Sequence, residues 1–321
     1  MRSVTSRILA ILATVFLEIG LMPTWAQDSP IRLTSELVVF EVSVFNRNTN
    51  APVDGLSAAD FTIIEDGKPQ TIAQFGKEEK PLSVMVVLDT SKTTHKQFEA
   101  LRQRLLEATF YLRPSDEMGI LVTAERTELI CNFTYDRREL SKAIRELDER
   151  KYGEEGIFLH DAIARAALAL KVAANPAGRR VIVVISDNVA QQSRHLDRLD
   201  AEDAQTLLSE VGATVCGLIL PNPGARLREA WRRGLANPTL SPGDLNDYAA
   251  QTGGETVRTT DADAGNRLGE TLNRLRARYT VAWVSSNPNR DGKFRKVVIR
   301  VGSSLESYVV KTRRGYFAPR E

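Results

Sequence analysis

Leu82-Ser-Val-Met-Val-Val-Leu88 is a short apolar run, rich in β-branched residues, that stops on Asp89-Thr-Ser91-Lys-Thr93. A run of this length and composition reads as a strand buried on both faces, and such strands belong in the middle of parallel sheets. Its carboxyl end then presents a carboxylate and hydroxyls at the rim of the sheet. Ligands of open α/β sheets bind at that edge. Hard oxygen donors in alternation are what Mg2+ or Ca2+ takes.

The same punctuation recurs downstream. Strands are expected at Gly119–Ala124, Glu128–Phe133, Val181–Ile185 and Thr214–Leu220, the first two antiparallel across a turn at Arg126. Helical patterns lie near 95–112, at Arg137–Arg150, Leu159–Ala173, Ala201–Val211 and Leu245–Gln251, and near 265–277. Strands alternating with helices predict an α/β fold with a doubly wound, mostly parallel sheet over residues 80–278. Within it Pro221–Pro242 is a long connection rich in Pro, Gly and Arg, with a short helical piece at Arg226–Arg233. Connections of that length are often functional.

The flanks differ in period. Over Leu37–Phe45, Val38, Phe40, Val42 and Val44 alternate with Glu41 and Ser43, a half-buried strand. Asp60–Glu65 and Pro69–Phe75 are two more, joined by Asp66-Gly67. Residues 279–321 return to β with candidates at Tyr279–Ser285, Phe294–Val301 and Leu305–Thr312. Two or three strands rarely bury enough surface to stand alone. The 30–78 and 279–321 segments are therefore expected to pair into one β-sandwich that carries the α/β domain as an insertion. The rival arrangement is two separate β appendages.

Met1-Arg2 and Arg7, the apolar stretch Ile8–Leu17 and Thr24-Trp25-Ala26 have the layout of a secretory signal peptide over residues 1–26. Glu18 interrupts it, so a retained anchor stays open. Export implies a periplasmic, secreted or cell-surface location, and no later run is long enough to span a bilayer. Forty-three basic against 41 acidic residues leave a formal charge of +2, which gives no pull toward nucleic acid. Cys131 and Cys216 both sit in apolar runs and read as small buried residues rather than a disulfide.

Enzyme motifs are sparse. The chain has neither Gly-x-Gly-x-x-Gly nor a Gly-x4-Gly-Lys-Ser/Thr loop, and no Gly-x-Ser-x-Gly elbow. His95, His160 and His195 lack ligand spacing. Asp89-Thr-Ser-Lys-Thr93 faintly resembles the nucleophile motif of haloacid-dehalogenase phosphatases. Ser91 stands where that chemistry needs an acid–base carboxylate.

Three passages together resemble the von Willebrand factor type A domain, in particular the exported bacterial proteins called VWFA-related that are common in Acidobacteria. They are Asp60-Phe-Thr-Ile-Ile-Glu-Asp-Gly-Lys-Pro-Gln-Thr-Ile-Ala-Gln-Phe75, the segments at Asp89, Gly156 and Asp187, and Asp291-Gly-Lys-Phe-Arg-Lys296 through Arg314-Gly-Tyr-Phe-Ala-Pro319. The resemblance covers nearly all of the chain after the leader. It implies a Rossmann-like sheet with strand order 3-2-1-4-5-6 and a metal-ion-dependent adhesion site. Cys131 and Cys216 would then lie on opposite sides of the central strand.

Carried over position by position, Asp89, Ser91, Thr93 and Asp187 are the metal-ligand candidates. Thr93 replaces a second Ser, Asn188 replaces the usual Gly, and Lys92 stands where Gly is usual. Ile157 stands where the family supplies a Thr ligand, and it cannot ligate. Two states stay open: water fills the vacant position on Mg2+ or Ca2+, or Lys92 neutralises a carboxylate and no metal binds.

The function expected is that of an exported, non-enzymatic binding or adhesion protein. It would recognise an unidentified protein at the top rim, through an acidic side chain that completes the ion's shell, with no nucleic acid and no integral membrane segment after cleavage. Trp231, Arg228 and Arg232, in the loop that leaves the same rim, are expected to flank the partner surface. The alternatives are a metal-dependent phosphoryl hydrolase with Asp89 as nucleophile and a structural envelope protein with a vestigial site.

Overall fold

The alternating segment forms strand β1 (Leu37–Asn46), with Phe40, Val42 and Val44 buried. It opens the part of the chain that the computed structural model describes: residues 37–77, 79–148, 157–176, 178–191, 198–222, 243–302 and 307–320. The expected signal peptide, the helical piece at Arg226–Arg233, and Trp231, Arg228 and Arg232 lie outside these residues. β2 (Phe61–Glu65) and β3 (Lys68–Gln70) pair antiparallel across Asp66 and Gly67, both at positive φ (46° and 82°). That is the geometry a tight two-residue hairpin demands.

β4 (Ile72–Gly76) corrects the expectation of one strand over Pro69–Phe75. The chain breaks at Thr71, and its two halves join different sheets. Next come β5 (Leu82–Asp89), α1 (Phe98–Ala108), β6 (Glu117–Thr123), β7 (Thr127–Thr134) and α2 (Arg137–Arg145). α3 (Leu159–Leu170), β8 (Arg179–Ser186), α4 (Ala201–Val211), β9 (Thr214–Ile219) and α5 (Leu245–Thr252) follow. Then come the short strand β10 (Thr256–Arg258), which the residue pattern did not foresee, and α6 (Ala264–Arg276). α1 is shorter than the 95–112 expected because both of its ends tighten into 3-10 turns. The tail supplies β11 (Tyr279–Val284), β12 (Phe294–Val301), β13 (Tyr308–Lys311) and β14 (Gly315–Phe317).

These strands build three sheets. The six-stranded sheet runs β10-β9-β8-β5-β6-β7, parallel except for the antiparallel edge strand β7. Numbered within the α/β part, that is the expected order 3-2-1-4-5-6. Every residue of β5 is buried. Leu82, Val84, Val86 and Leu88 face a layer containing Leu101, Leu105, Leu140, Ile144, Leu268 and Leu272 of α1, α2 and α6. Met85 and Val87 face Ile163, Ala166, Leu170, Ala204, Leu208 and Leu245 of α3, α4 and α5. Helices on both faces make the sheet doubly wound.

The other two sheets, β13-β1-β11-β4 and β14-β12-β2-β3, each combine strands from the first and last segments. Phe40, Val42, Ile63, Trp283, Val297 and Ile299 fill the space between them. Trp283 Nε1 donates to Glu65 at 2.7 Å, which satisfies the one polar atom of that ring and a carboxylate only 2% exposed. Cys131 on β7 and Cys216 on β9 are free and buried, with three strands between them. Among the described residues no helix is long and apolar enough to cross a membrane.

Candidate functional site

β5 and β8 lie side by side and parallel, so their carboxyl ends meet at one rim. Asp89 closes β5 and is completely buried; Ser186 closes β8 and Asp187 follows it, 3% exposed. Asp89 Oδ1 accepts from the Ser91 backbone N–H at 2.9 Å, an Asx turn that starts the loop. Its Oδ2 accepts from Ser186 Oγ at 2.5 Å. The Ser91 and Thr93 hydroxyls lie 3.0 Å apart. Thr94 Oγ1 bonds back to the Asp89 and Ser91 carbonyls at 2.9 and 3.0 Å, which locks the loop. Ser91 is buried, whereas Thr93 is half-buried and Lys92 exposed.

Asp187 Oδ1 accepts from the Val189 N–H at 2.9 Å, and its Oδ2 from Asn222 Nδ2 at 2.6 Å. Asn222 follows β9, so the connection from 221 starts beside the site. Asn188 holds a left-handed backbone, φ 59°. Glycine favours that region and Asn tolerates it, which accounts for the departure from the usual Gly. The side chain adds something Gly cannot. Nδ2 donates to Asp244 Oδ1 at 2.9 Å and Oδ1 accepts from the Leu245 N–H at 3.0 Å, which fixes the start of α5.

Burial pushes the Asp89 carboxyl up to about 6, and the negative charge of Asp187 adds to the effect. The hydroxyl of Ser186 and the hydroxyl and N–H of Ser91 oppose it. The neighbouring carboxylate charge that raises the proton affinity of Asp89 favours a cation there as well.

Ile157 is 1% exposed and packs into the apolar layer with Met85, Val87, Leu121 and Leu159. Its carbonyl accepts from the Gln191 N–H at 2.8 Å. The loop position where a Thr would ligate is thus given to the core. Near it, buried Asp161 accepts from Thr127 Oγ1, Arg165 Nε and the Leu199 N–H at 3.0, 2.9 and 3.2 Å. That carboxylate is fully used in tying β7, α3 and the entry to α4 together.

Asp89, Ser91 and Thr93 thus share one loop, and Ser186 joins them to the strand end that bears Asp187. Sequence reasoning missed Ser186 and Asn222, and read Asn188 only as a departure from the usual Gly. Ser186 and Asn188 flank the chosen Asp187, and Asn222 follows the next strand, so the same rule about strand ends points to all three. His160 is accounted for by packing, with Nδ1 2.6 Å from the Tyr248 hydroxyl.

Among the described residues no three His, Cys, Asp or Glu side chains gather to hold a metal. The donor set at the rim is two carboxylates and hydroxyls. By chemistry it fits a hard divalent cation that keeps several waters, which is how Mg2+ is usually held.

Residues 84–190 match the family model of the von Willebrand factor type A domain, and this stretch of the chain is such a domain. No curated protein matches the chain. Among solved structures, the chain is similar to a conserved hypothetical protein BatB from Bacteroides thetaiotaomicron. Identity is 17%, with 60% of this chain and 98% of that one covered and a TM-score of 0.44. It is also similar to proximal thread matrix protein 1 from the mussel byssus, solved with a zinc-occupied MIDAS motif (10% identity; 62% and 49% covered; TM-score 0.45). A third is a von Willebrand factor type A protein from Catenulispora acidiphila (9% identity; 81% and 73% covered; TM-score 0.45).

Proposed function

We propose that this chain is an exported, non-enzymatic recognition protein that binds another protein at the rim formed by the ends of β5 and β8, through a divalent cation. Von Willebrand factor type A domains generally mediate protein–protein interaction. The observation that carries the reading is the pair Asp89 and Asp187, buried at adjacent strand ends, with the charge of Asp187 acting on Asp89. Asp89, Ser91, Thr93 and Asp187 would hold the ion, with Ser186 orienting Asp89. Bound there, the ion supplies a Lewis-acidic point for an oxygen ligand. Mg2+ suits four protein donors better than Ca2+, which takes six to eight oxygens.

Binding is favoured over phosphoryl transfer because Ser91 stands two residues after Asp89, where that chemistry needs an acid–base carboxylate. The connection after β9 starts with Asn222 bonded to Asp187, which supports a role for Trp231, Arg228 and Arg232 at the partner surface.

Calorimetric titration of Mg2+, Mn2+ and Ca2+ into the protein, with Asp89→Ala as control, tests the reading. Saturable binding that the variant loses is expected. Absence of binding for all three ions would overturn the metal-bridged reading. A phosphatase activity abolished in Asp89→Ala would overturn the non-enzymatic one.

A further inference from the structure

The opposite pole of the six-stranded sheet carries a second concentration of charge. At the amino ends of β8 and β9 a cavity of about 490 Å3 opens between the α/β part and the sandwich. Five cations line it, Lys80, Arg179, Arg180, Arg278 and Arg313, against one carboxylate, Glu41. Glu41 is already shared between Arg179 at 2.8 Å and Lys80 at 3.1 Å.

Arg278 is 4% exposed, and its terminal nitrogens donate to Thr214 Oγ1 and the Gly253 carbonyl at 3.0 and 2.9 Å. Arg313 donates to the Val39 carbonyl at 2.7 Å, and its guanidinium lies 4.2 Å from the centre of the Phe40 ring. Among the described residues neither arginine is in an ion pair, and the Nε of each is buried without a hydrogen-bond partner. Burial pushes both guanidinium groups down, Arg313 to about 10. Buried donors left unmade and buried charges left uncompensated are both costly. A fold that retains two such unmade donors beside one cavity, one of them on the buried charge of Arg278, has room for an anion.

We propose that this cavity binds a phosphate group, with Arg278 and Arg313 as its principal donors. Guanidinium forks match phosphate oxygens in geometry and charge, and an excess of four positive charges suits a dianion. The volume exceeds what a bare phosphate needs and falls in the range of small-molecule sites. An adjoining groove shares Arg313 and is lined by Leu208, Phe294 and Phe317, which gives an organic body somewhere to lie. The free ion and a phosphate monoester share the recognising chemistry.

The test is calorimetry on the full chain with inorganic phosphate and with phenyl phosphate, in chloride buffers of matched ionic strength. Wild type is expected to give saturable one-site binding. Arg313→Gln, at a half-buried position, and Arg278→Lys are each expected to weaken it by roughly ten- to a hundredfold, the loss of one charge-assisted hydrogen bond. Asp89→Ala, at the other pole, is expected to bind as wild type does. The tighter of the two probes identifies the natural form. No saturable binding to folded wild type overturns the proposal. So does unchanged affinity in a folded variant, or a thermal midpoint lowered equally with and without phosphate in Arg313→Gln, which marks a purely structural latch.

Discussion

Replacing Asp89 with asparagine tests the electrostatics of the rim most directly. The carboxyl of Asp89 is pushed up to about 6 from an ordinary value of 3.8, first by burial and then by Asp187. Its raised folded pKa means that the native state holds more protons than the unfolded chain between about pH 4 and pH 6, so stability falls as pH rises through that window. Below it both states are protonated and the difference vanishes. Above it the full cost is present, about 3 kcal/mol for a shift of about two units. The asparagine side chain has no charge to bury. Its Oδ1 still accepts from the Ser91 N–H, and its Nδ2 can donate to Ser186 Oγ, so little hydrogen bonding is lost. Urea unfolding in EDTA at pH 4, 5, 6 and 7 is the assay. Relative to wild type, the variant is expected to gain about 2–3 kcal/mol between pH 4 and pH 7 and nothing more above that. Saturating Mg2+ at pH 7 is expected to reverse the order, because an ion that binds only native wild type stabilises it by mass action. A difference that stays constant from pH 4 to pH 7 refutes the reasoning, since Asp89 would then titrate as an ordinary carboxyl.

Asp116 is 2% exposed, pairs with buried Arg276 and accepts from the Leu82 and Arg113 N–H groups at 2.8 Å each. Asp116→Ala leaves a guanidinium buried without its counter-charge and is expected to cost about 3–5 kcal/mol in denaturant unfolding; a loss under 1 kcal/mol would show that Arg276 finds another partner. Ile157→Thr puts a hydroxyl into the apolar layer around Met85 and Val87 and is expected to cost roughly 1–3 kcal/mol. An unchanged thermal midpoint would mean that the side chain is not seated there. Burial raises the pKa of both cysteine thiols, so a thiol reagent is expected to label neither in native protein and both after unfolding. Rapid labelling without denaturant would contradict the burial of Cys131 and Cys216.

The parts of the fold written in local patterns were legible. The helical pattern read over Ala201–Val211 coincides with α4. Asp200 caps the Glu202 and Asp203 N–H groups, and Gly212 takes the left-handed backbone that ends the helix. Asp89 and Asp187 were legible because apolar runs that stop on an acid locate strand ends. What failed depends on which neighbour a segment meets. Nothing in Pro69–Phe75 says that its halves belong to different sheets; only the pairing of β3 with β2 and of β4 with β11 does. β10 is three residues long and exists because Thr256–Arg258 lies along β9. The same limit hid Asn222. Its amide becomes a site residue only when the end of β9 is brought beside Asp187.

That pairing of β4 with β11 also explains how the sandwich can carry so large an insertion. Gly76 lies opposite Thr280, so the chain leaves and re-enters the sandwich on neighbouring strands, about 5 Å apart. Two tethers this close add little closure entropy but would permit a hinge. The base of the sheet removes that freedom. Arg179 pairs with Glu41 of β1 and donates to the carbonyls of Leu275 and Arg278, linking the start of β8, the end of α6 and the sandwich. β5 then runs from Leu82 at this seam to Asp89 at the rim. Eight residues of strand separate the two poles by about 25 Å. Perturbations that far apart with no shared partner are expected to add. Any change in phosphate affinity in Asp89→Ala, or in metal affinity in Arg313→Gln, would therefore mean that the sheet itself couples the two ends.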